Sequence, residues 1–509
     1  MKSSDKSEII NELAKRRGFF FPSYEIYGGV SGFLTFGPLG TALKRKIEDK
    51  FREFYTRPLG ILEIESSVIL PSKVFEASGH VEHFKEPMVE CTKCKHKFRA
   101  DHLLQEKAGM SDTETEKLSL EELGKEIQKH GINCPECGGN FGEPKYFLTM
   151  FATTIGPYSE AVGFGRPEAA QSIFVEFRRL WEYARERLPF GVVQIGHALR
   201  NEISPRQGPI RLREFTIMDV EFFFDPEAPN CAPLKDIENE TLRLVRAEAK
   251  LKGEKEPVTV TVKEALQKGY IKAEWQAYFM ALAKRLLREF GVPDEKQRFM
   301  EKLPWEKAHY STQSFDQEIY LERWGWTEVS GHAYRTDYDL KRHMEFSGVD
   351  MQAFKEGRRF IPHVVEPSFG SDRLVYVAVE YAYQAKKDRA LLSFPRDLAP
   401  VQVGVYPLVS KDGLPEKAKE VFKMLVKKGF TVEYDESGSI GRRYARADEA
   451  GTPLGVTIDY ETLKDDAVTI RDRDSWKQVR TEIKMLPELL RAYFHFEKTF
   501  EDLGQLVKS

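Results

Sequence analysis

The sequence predicts an α+β protein: an antiparallel-sheet body with helices, a cysteine-knuckle insertion and a C-terminal α/β domain. Three observations predict it. Leu212 to Phe224 alternates at the two-residue period of a strand, after an apolar, partly β-branched run from Gly191 to Glu202. Cys91-x-x-Cys94 and Cys134-x-x-Cys137 form two knuckle-like pairs. After Pro400, short apolar strands alternate with helices, as in an α/β domain with a mixed or parallel sheet.

The elements follow in order. Residues 7–17 read as a helix, and strands and turns lead out of it. GTALKRKIEDKFREFY, from Gly40, places Leu43, Ile47, Phe51 and Phe54 at helical spacing. A helical stretch from Thr113 to His130 loops out between the cysteine pairs. IFVEFRRLWEYARERLP, from Ile173, reads as one helix with Phe174, Phe177, Trp181 and Leu188 near one side. Ser204 to Pro209, with two prolines and a glycine, connects the two strands of a hairpin. Asp225 begins a less regular segment, with strand alternation from Val258 to Val262 and a helix from Glu274 to Phe290. Ser371-Asp372 reads as a helix start with an acid placed to cap it. The C-terminal part reads as strands at VQVGVYPLV, FTVEYDE, TPLGVTID and DAVTIRDR. Its helices are PEKAKEVFKMLVKKG, SIGRRYARADEAG and a last one from Trp476 to Phe494.

Composition sets limits. A chain of 509 residues fits two to four domains at roughly 100–200 residues each. Hydrophobic residues at 41% and aromatic residues at 12% suit well-built cores. A net charge of −3 argues against wholesale basic binding of nucleic acid. A local basic surface remains sufficient for phosphate contacts. No apolar run approaches the roughly 18 residues of a membrane span. The N-terminus has no apolar signal-peptide core, so a cytoplasmic protein is expected.

The hairpin RNEISPRQGPIRLREF, Arg200 to Phe215, concentrates the chemistry. Arginines can meet phosphates, an acid can accept from an exocyclic amine, and an aromatic can stack on a base. On the strand, Thr216, Met218, Val220, Phe222 and Phe224 face one way. Arg211, Arg213, Phe215, Ile217, Asp219, Glu221 and Phe223 face the other. Parity alone serves equally a ligand platform or a solvated outer face.

The hairpin resembles motif 2 of class II aminoacyl-tRNA synthetases, and RNEISPR…LREF resembles the homodimeric, archaeal and eukaryotic-like glycyl-tRNA synthetases in particular. Further segments resemble that family in order: VILPSKVFEASGHVEHF, RPEAAQSIFVEF, GWTEVSGHAYRTDYDLKRH, VVEPSFGSDR and VTIRDRDSWKQVR. The resemblance implies a class II catalytic core at 1–85, 146–227 and 309–399, a zinc-binding insertion at 86–145 and a second insertion at 228–308. It implies an anticodon-binding domain at 400–509.

It also implies a reaction: ATP-dependent activation of glycine to glycyl-adenylate, then transfer to the 3′ end of tRNA-Gly. Arg200 and Arg373 would be the catalytic arginines, and Arg200 would contact the glycine carboxylate and the α-phosphate. Glu202 would accept from the adenine amine and Phe215 would stack on the base. Arg373 would cover the other face of the adenine or serve the γ-phosphate, for which Arg211 is a second candidate, with Mg2+ bridging the phosphates. Glu168, Asp219, Glu366 and Ser368 would hold glycine, with Glu328 and Arg335 as further candidates. Asp219 stands where a glutamate is common in the family, so a water is expected to bridge its shorter reach. A filled pocket selects the smallest amino acid sterically, whereas rejecting a smaller one is the hard case.

Cys91, Cys94, Cys134 and Cys137 fit structural, four-thiolate zinc, although the gap between the pairs exceeds the usual ribbon spacing. Disulfides suit a cytoplasmic chain poorly, and a decayed site is the other alternative. His96, His102 and His130 are spare ligands, and Cys231 reads as an inert thiol. Arg442, Arg443 and Arg446 are candidates for RNA phosphates or for a solvated helix face. The helix from Gly40 would carry a dimer interface in the family; alone, its pattern is that of a core helix. Two other function classes remain: a non-catalytic synthetase-like nucleic-acid-binding protein, and a class II enzyme for another amino acid. The first predicts eroded motif arginines, which are present here. The EPSFG and RPEAAQ segments argue against the second.

Overall fold

The computed structural model describes residues 3–507, apart from 116, 158–160, 204, 206–207, 255 and 387–388. The hairpin tip at Ser204, Arg206 and Gln207 therefore lies outside the described residues, as does Glu116 in the looped-out stretch.

A nine-stranded sheet carries the body. Its strands are β1 (Leu62–Ile64), β2 (Phe190–Leu199), β3 (Glu214–Phe224), β4 (Thr241–Val245), β5 (Val258–Thr261), β6 (Gln297–Glu301), β7 (Gln313–Leu321), β8 (Gly325–Thr336) and β9 (His363–Gly370). Their order is β5-β4-β6-β7-β8-β9-β3-β2-β1. Only β1–β2 and β4–β6 pair in parallel.

Parity decides where the core lies. Met218, Val220, Phe222 and Phe224 of β3 join one cluster with Leu43, Ile47 and Phe51 and with Trp275 and Phe279. Those partners sit on helices α1 (Pro38–Phe51) and α2 (Glu274–Glu289), which pack on the same face as α3 (Ser371–Ala382). The opposite face of β3 is not solvated. Asp219 and Glu221 have no exposed surface. Phe223 packs against Phe174 and Phe177, whose short helices cover that side.

Segment 228–308 does not stand apart from this sheet. β4, β5 and β6 extend it through β7, and α2 packs against its centre, with the Trp275 and Phe222 rings 4.2 Å apart. Segment 86–145 forms a separate small layer: Lys97–Arg99, Lys85–Glu90 and Lys145–Leu148 pair in that order, with helices Ala100–Ala108 and Leu120–Lys129 over them. Ser119 caps the latter helix through a capping box with Glu122.

The C-terminal domain has its own core and a six-stranded sheet. Val403–Pro407, Val432–Tyr434 and Leu454–Ile458 pair in parallel; Ala467–Asp472 and Gln478–Glu482 continue antiparallel. Among the described residues, no helix is long and apolar enough to cross a membrane.

Three local expectations are corrected. The run from Ile173 is two helices, Ala170–Val175 and Phe177–Tyr183, and ends where Arg185 and Glu186 turn left-handed. Trp476 sits in a turn at φ 64°, and the last helix spans only Leu486–Phe494, because Gln478–Glu482 pairs as a strand. Asp372 does not cap its helix. It accepts from the Thr216 amide at 2.6 Å and pairs with Lys44 at 2.5 Å, tying α3 and α1 to β3.

Candidate active site

A cavity of about 430 Å³ opens on the face of the sheet opposite α2. Strand register orders the residues at and beneath its floor. Gln194, Asp219, Ser368, Gly331 and Asp316 lie side by side across β2, β3, β9, β8 and β7. A Cβ on Gly331 would meet nothing within 4 Å, so the floor is open there.

One end of the cavity is cationic. Arg200, just after β2, donates from Nε to the Pro167 carbonyl at 3.0 Å. Its guanidinium lies 5.3 Å from the Phe215 ring and 5.7 Å from that of Phe84. Arg213 is spent on structure: it donates to the Glu202 carbonyl twice and to Ser31, holding the hairpin in shape. Arg373 opens α3 and donates to the Ile210 carbonyl at 2.9 Å and to the Glu328 carbonyl. Burial draws its guanidinium below the usual range, and Arg200 and Arg211 press it further against the pull of Glu328. Three arginines thus converge, together with Glu202 and Phe215, on one opening. Such a cluster awaits anions.

Beside it, Asp316 and Glu328 sit on adjacent strands, with Lys302 at 3.1 Å from Asp316. Burial and the Glu328 charge push Asp316 up to about 7, although Lys302 pulls it down. Two carboxylates thus repel each other beside the cationic opening.

The other end is closed and anionic. Glu168 accepts from Gln171 at 2.9 Å, and lies 3.4 Å from both Arg335 and His80. Burial opposes its ionisation, but His80, Arg335 and Gln171 outweigh it and hold Glu168 well below the usual range. Arg335 is fully buried. It grips Asp339 with two bonds of 2.8 Å and Glu366 with one of 2.9 Å, and stacks 3.6 Å over Tyr310. Glu168, Glu366 and Ser368 line the cavity. Asp219 does not. Its carboxylate accepts from the Ala169 amide at 2.7 Å and from Ser368 at 2.6 Å, so it braces two wall elements rather than reaching inward.

The four cysteines converge in the small layer. All four sulfurs lie within 4.8 Å of one another, with Cys91–Cys137 at 3.5 Å and Cys94–Cys134 at 3.6 Å. Tetrahedral thiolates around zinc sit about 3.8 Å apart, given Zn–S bonds of about 2.3 Å. The backbone turns match: Lys95 donates to the Cys91 carbonyl and Gly138 to that of Cys134. Gly139 keeps the space clear, since a Cβ there would press on the Cys91 and Cys137 sulfurs. The Cys94 amide, then burial and the Lys93 amide, act on Cys91, which falls to about 6. On Cys94 the His96 amide is outweighed by burial and the three other sulfurs, which push it up to about 12. Four crowded sulfurs cannot all ionise unaided; a divalent cation would let them. His96 lies against Cys94 at 3.3 Å and supports the set without being needed in it.

Comparison with known proteins now bears on the site. Residues 402–493 match the family model for the anticodon binding domain. The chain is 45% identical to the glycine–tRNA ligase of Aeropyrum pernix over 584 aligned positions, covering 99% of this chain and all of that one. It is 44% identical to that of Thermococcus gammatolerans, covering 96% and 98%, and 41% identical to that of Methanocaldococcus jannaschii, covering 96% and 99%. The chain belongs to the glycine–tRNA ligase family.

Two solved structures match at the level of fold: the prolyl-tRNA synthetases of Cryptosporidium parvum (TM-score 0.57, 14% identity) and Giardia lamblia (TM-score 0.59, 13% identity). Each match covers 96% of this chain and 75% of the other. The body is therefore the class II catalytic fold, with the anticodon-binding domain following it.

Sequence reasoning missed several members of the site. Asp316 was within reach, since SFDQEIYL alternates, with Asp316 on the polar parity. Tyr310 lies in a turn and His80 opens a four-residue helix, both too short for a period to assign a face. Arg335, a further candidate in the sequence, is the central cation of the closed end. Among the C-terminal arginines, Arg443 is removed as a phosphate contact. It is buried and donates to the carbonyls of Pro407, Glu436 and Gly438. Arg446 is held by Asp435 at 2.5 Å, while Arg442 is exposed.

Proposed function

We propose that this protein is a glycine–tRNA ligase: it activates glycine with ATP and transfers it to the 3′-terminal ribose of tRNA-Gly. The observation that carries the reading is the division of one small cavity into a cationic mouth and a closed anionic end. The non-catalytic alternative has nothing in its favour, because Arg200, Glu202, Phe215 and Arg373 all border the cavity.

In this reading, Phe215 and Arg373 hold adenine and Glu202 accepts from its amine. Arg200 spans the α-phosphate and the glycine carboxylate, and Arg211 meets the γ-phosphate. Glu168 and Glu366 take the ammonium, with Ser368 beside them. Asp219 acts through Ser368 and the Ala169 amide. A glycine carboxylate oxygen attacks the α-phosphorus and pyrophosphate leaves. The cationic mouth stabilises the charge that builds there. A ribose hydroxyl of the tRNA then attacks the glycyl carbonyl, loses its proton and releases AMP. Asp316 and Glu328 would hold Mg2+, which supplies positive charge for the phosphates.

The four cysteines would hold structural zinc, since a closed thiolate set leaves no position for substrate. Zinc release on chelation, with loss of ordered structure confined to 86–145, is the expected outcome. Metal-free protein with an intact insertion would count against it. The catalytic core would comprise 1–85, 146–227 and 309–399, with 228–308 as an extension of its sheet and 400–509 as the tRNA-reading domain.

A homodimer is the expected assembly. The apolar side of α1 is consumed in its own core, so contact with a second copy falls to neighbouring surface. The loop before it exposes Ile26 at 87% and Tyr27 at 84%, an unusual apolar display that supports such a role. A cytoplasmic location is the reading that accompanies tRNA charging, and Arg442 remains the exposed arginine of the described helix placed to meet RNA.

Glycine anticodons end in two cytosines, which the C-terminal domain would read as unstacked bases. The test is charging of a tRNA-Gly transcript against one with those cytosines replaced. We expect glycylation of the first and a loss of at least tenfold for the second, from roughly 1–3 kcal/mol per base contact. Equal charging of both would contradict the tRNA assignment.

A further inference from the structure

The closed end of the cavity holds more acid than it has cation. Arg335 is met by Asp339, Glu366 and Glu168, at 2.8, 2.9 and 3.4 Å. Behind them on β3 lie Asp219 and Glu221, both without exposed surface. Asp339 takes two of the Arg335 donors, and Glu168 is further supported by His80 and Gln171. The next arginines are engaged elsewhere. Arg166 donates to Ser66 and to the carbonyls of Ser67 and His197, and the Arg200 Nε is bound to the Pro167 carbonyl.

Glu221 is the unexplained member. It stands two residues from Asp219 on the same face of β3, opposite Val192 on β2. Both its carboxyl oxygens are closed off from solvent and have no hydrogen-bond partner. Charged groups face it from every side: Asp219 on its own strand, Glu366 from β9, Arg335 from β8 and Asp339 from the following helix. Buried carboxylates without counter-charge do not all stay ionised. Glycine brings the missing positive charge when its ammonium enters beside Glu366.

We propose that glycine enters this pocket in exchange for a proton held by the Glu221–Asp219–Glu366 group, in which Glu221 itself stays neutral. The ammonium keeps its three hydrogens. One carboxyl O–H breaks, and its proton leaves to solvent. Burial and the neighbouring acids push Glu366 up to about 7 and Asp219 up to about 6, and hold Glu221 well above the carboxylate range. These values belong to the group rather than to single residues. The inference rests on the reading of this end of the cavity as the glycine site.

The test is calorimetric titration of glycine into the full-length protein at pH 6.5, in phosphate and in imidazole buffer. Release of about half a proton or more, read as a difference between the two binding enthalpies, is the expected result. Equal enthalpies would overturn the exchange. A second measurement is the pH profile of glycine-dependent pyrophosphate exchange. We expect KM for glycine to rise toward tenfold per pH unit below about pH 6, with kcat changing much less. Glu221→Gln fixes the neutral state of Glu221 and leaves the bend in place, whereas in Asp219→Asn, which removes a charge that raises Glu366, the bend moves to lower pH. An unmoved bend in Asp219→Asn would overturn the shared acid group. Exchange with glycine but no proton release defeats this inference alone. No exchange with glycine at any pH defeats the glycine reading, and the inference with it.

Discussion

The two ends of β3 solve opposite problems. At the Phe215 end, Arg200 and Arg211 sit at an open mouth, partly exposed, without acids bound to their guanidinium groups. At the Asp219–Glu221 end, Asp219, Glu221 and Arg335 have no exposed surface, and nearly every charge has an internal partner. A nucleotide is large and anionic, so loosely committed cations at an open rim can receive it. Glycine offers two charged groups and no side chain. A site already closed and rigid suits so small a ligand. The difference teaches that one strand can carry a site that waits for its ligand and another shaped before it arrives.

Breaking the closed end should cost the most. Arg335→Met leaves the acids around it without their shared cation. Removing one partner of a buried pair costs roughly 3–5 kcal/mol. Thermal denaturation should show a drop of several degrees, and glycine activation should be lost. An unchanged melting temperature would mean that the closed end is not held by charge. At the open end, Arg200→Ala should leave the melting temperature nearly unchanged. It should still lower pyrophosphate exchange by roughly 10²–10³, as for loss of one transition-state donor.

Smaller effects sharpen the contrast. Phe215→Leu should raise KM for ATP about tenfold, through loss of a stacking surface of roughly 1–2 kcal/mol. KM for glycine should change far less. Glu202→Gln should alter KM for ATP by only several-fold, and should weaken its preference over GTP, read from exchange with each nucleotide. A matching pair in the C-terminal domain extends the rule. Arg443→Ala, which frees three carbonyls from a buried guanidinium, should lower the melting temperature. Arg442→Ala should leave it alone and act, if at all, on KM for tRNA.

The open end was largely legible in the sequence, and the closed end only in part. Arg200, Glu202, Phe215 and Arg373 lie in short motifs recognised by resemblance, strand parity adding the face of Phe215, and all four border the cavity. Glu168, Glu366 and Ser368 were found by resemblance, and line the cavity. The closed end depends on long-range partners that no local pattern encodes. Arg335 meets Glu168 across 167 residues, and Ser368 meets Asp219 across 149. Burial was also invisible. Strand parity put Glu221 on the charged face without revealing that helices cover it. Segment 228–308 shows the same limit from the other side: its strands are short, and only their pairing with β7 reveals that they belong to the main sheet.

The central claim is that the cationic mouth and the closed acidic end together activate glycine. Pyrophosphate exchange measured with ATP and each of the twenty amino acids in turn tests it most directly. The account predicts exchange with glycine and, because a Cβ has no place to go, exchange with alanine and serine lower by at least about a hundredfold. Exchange with alanine or serine at the level of glycine, or with none of the twenty, would contradict it.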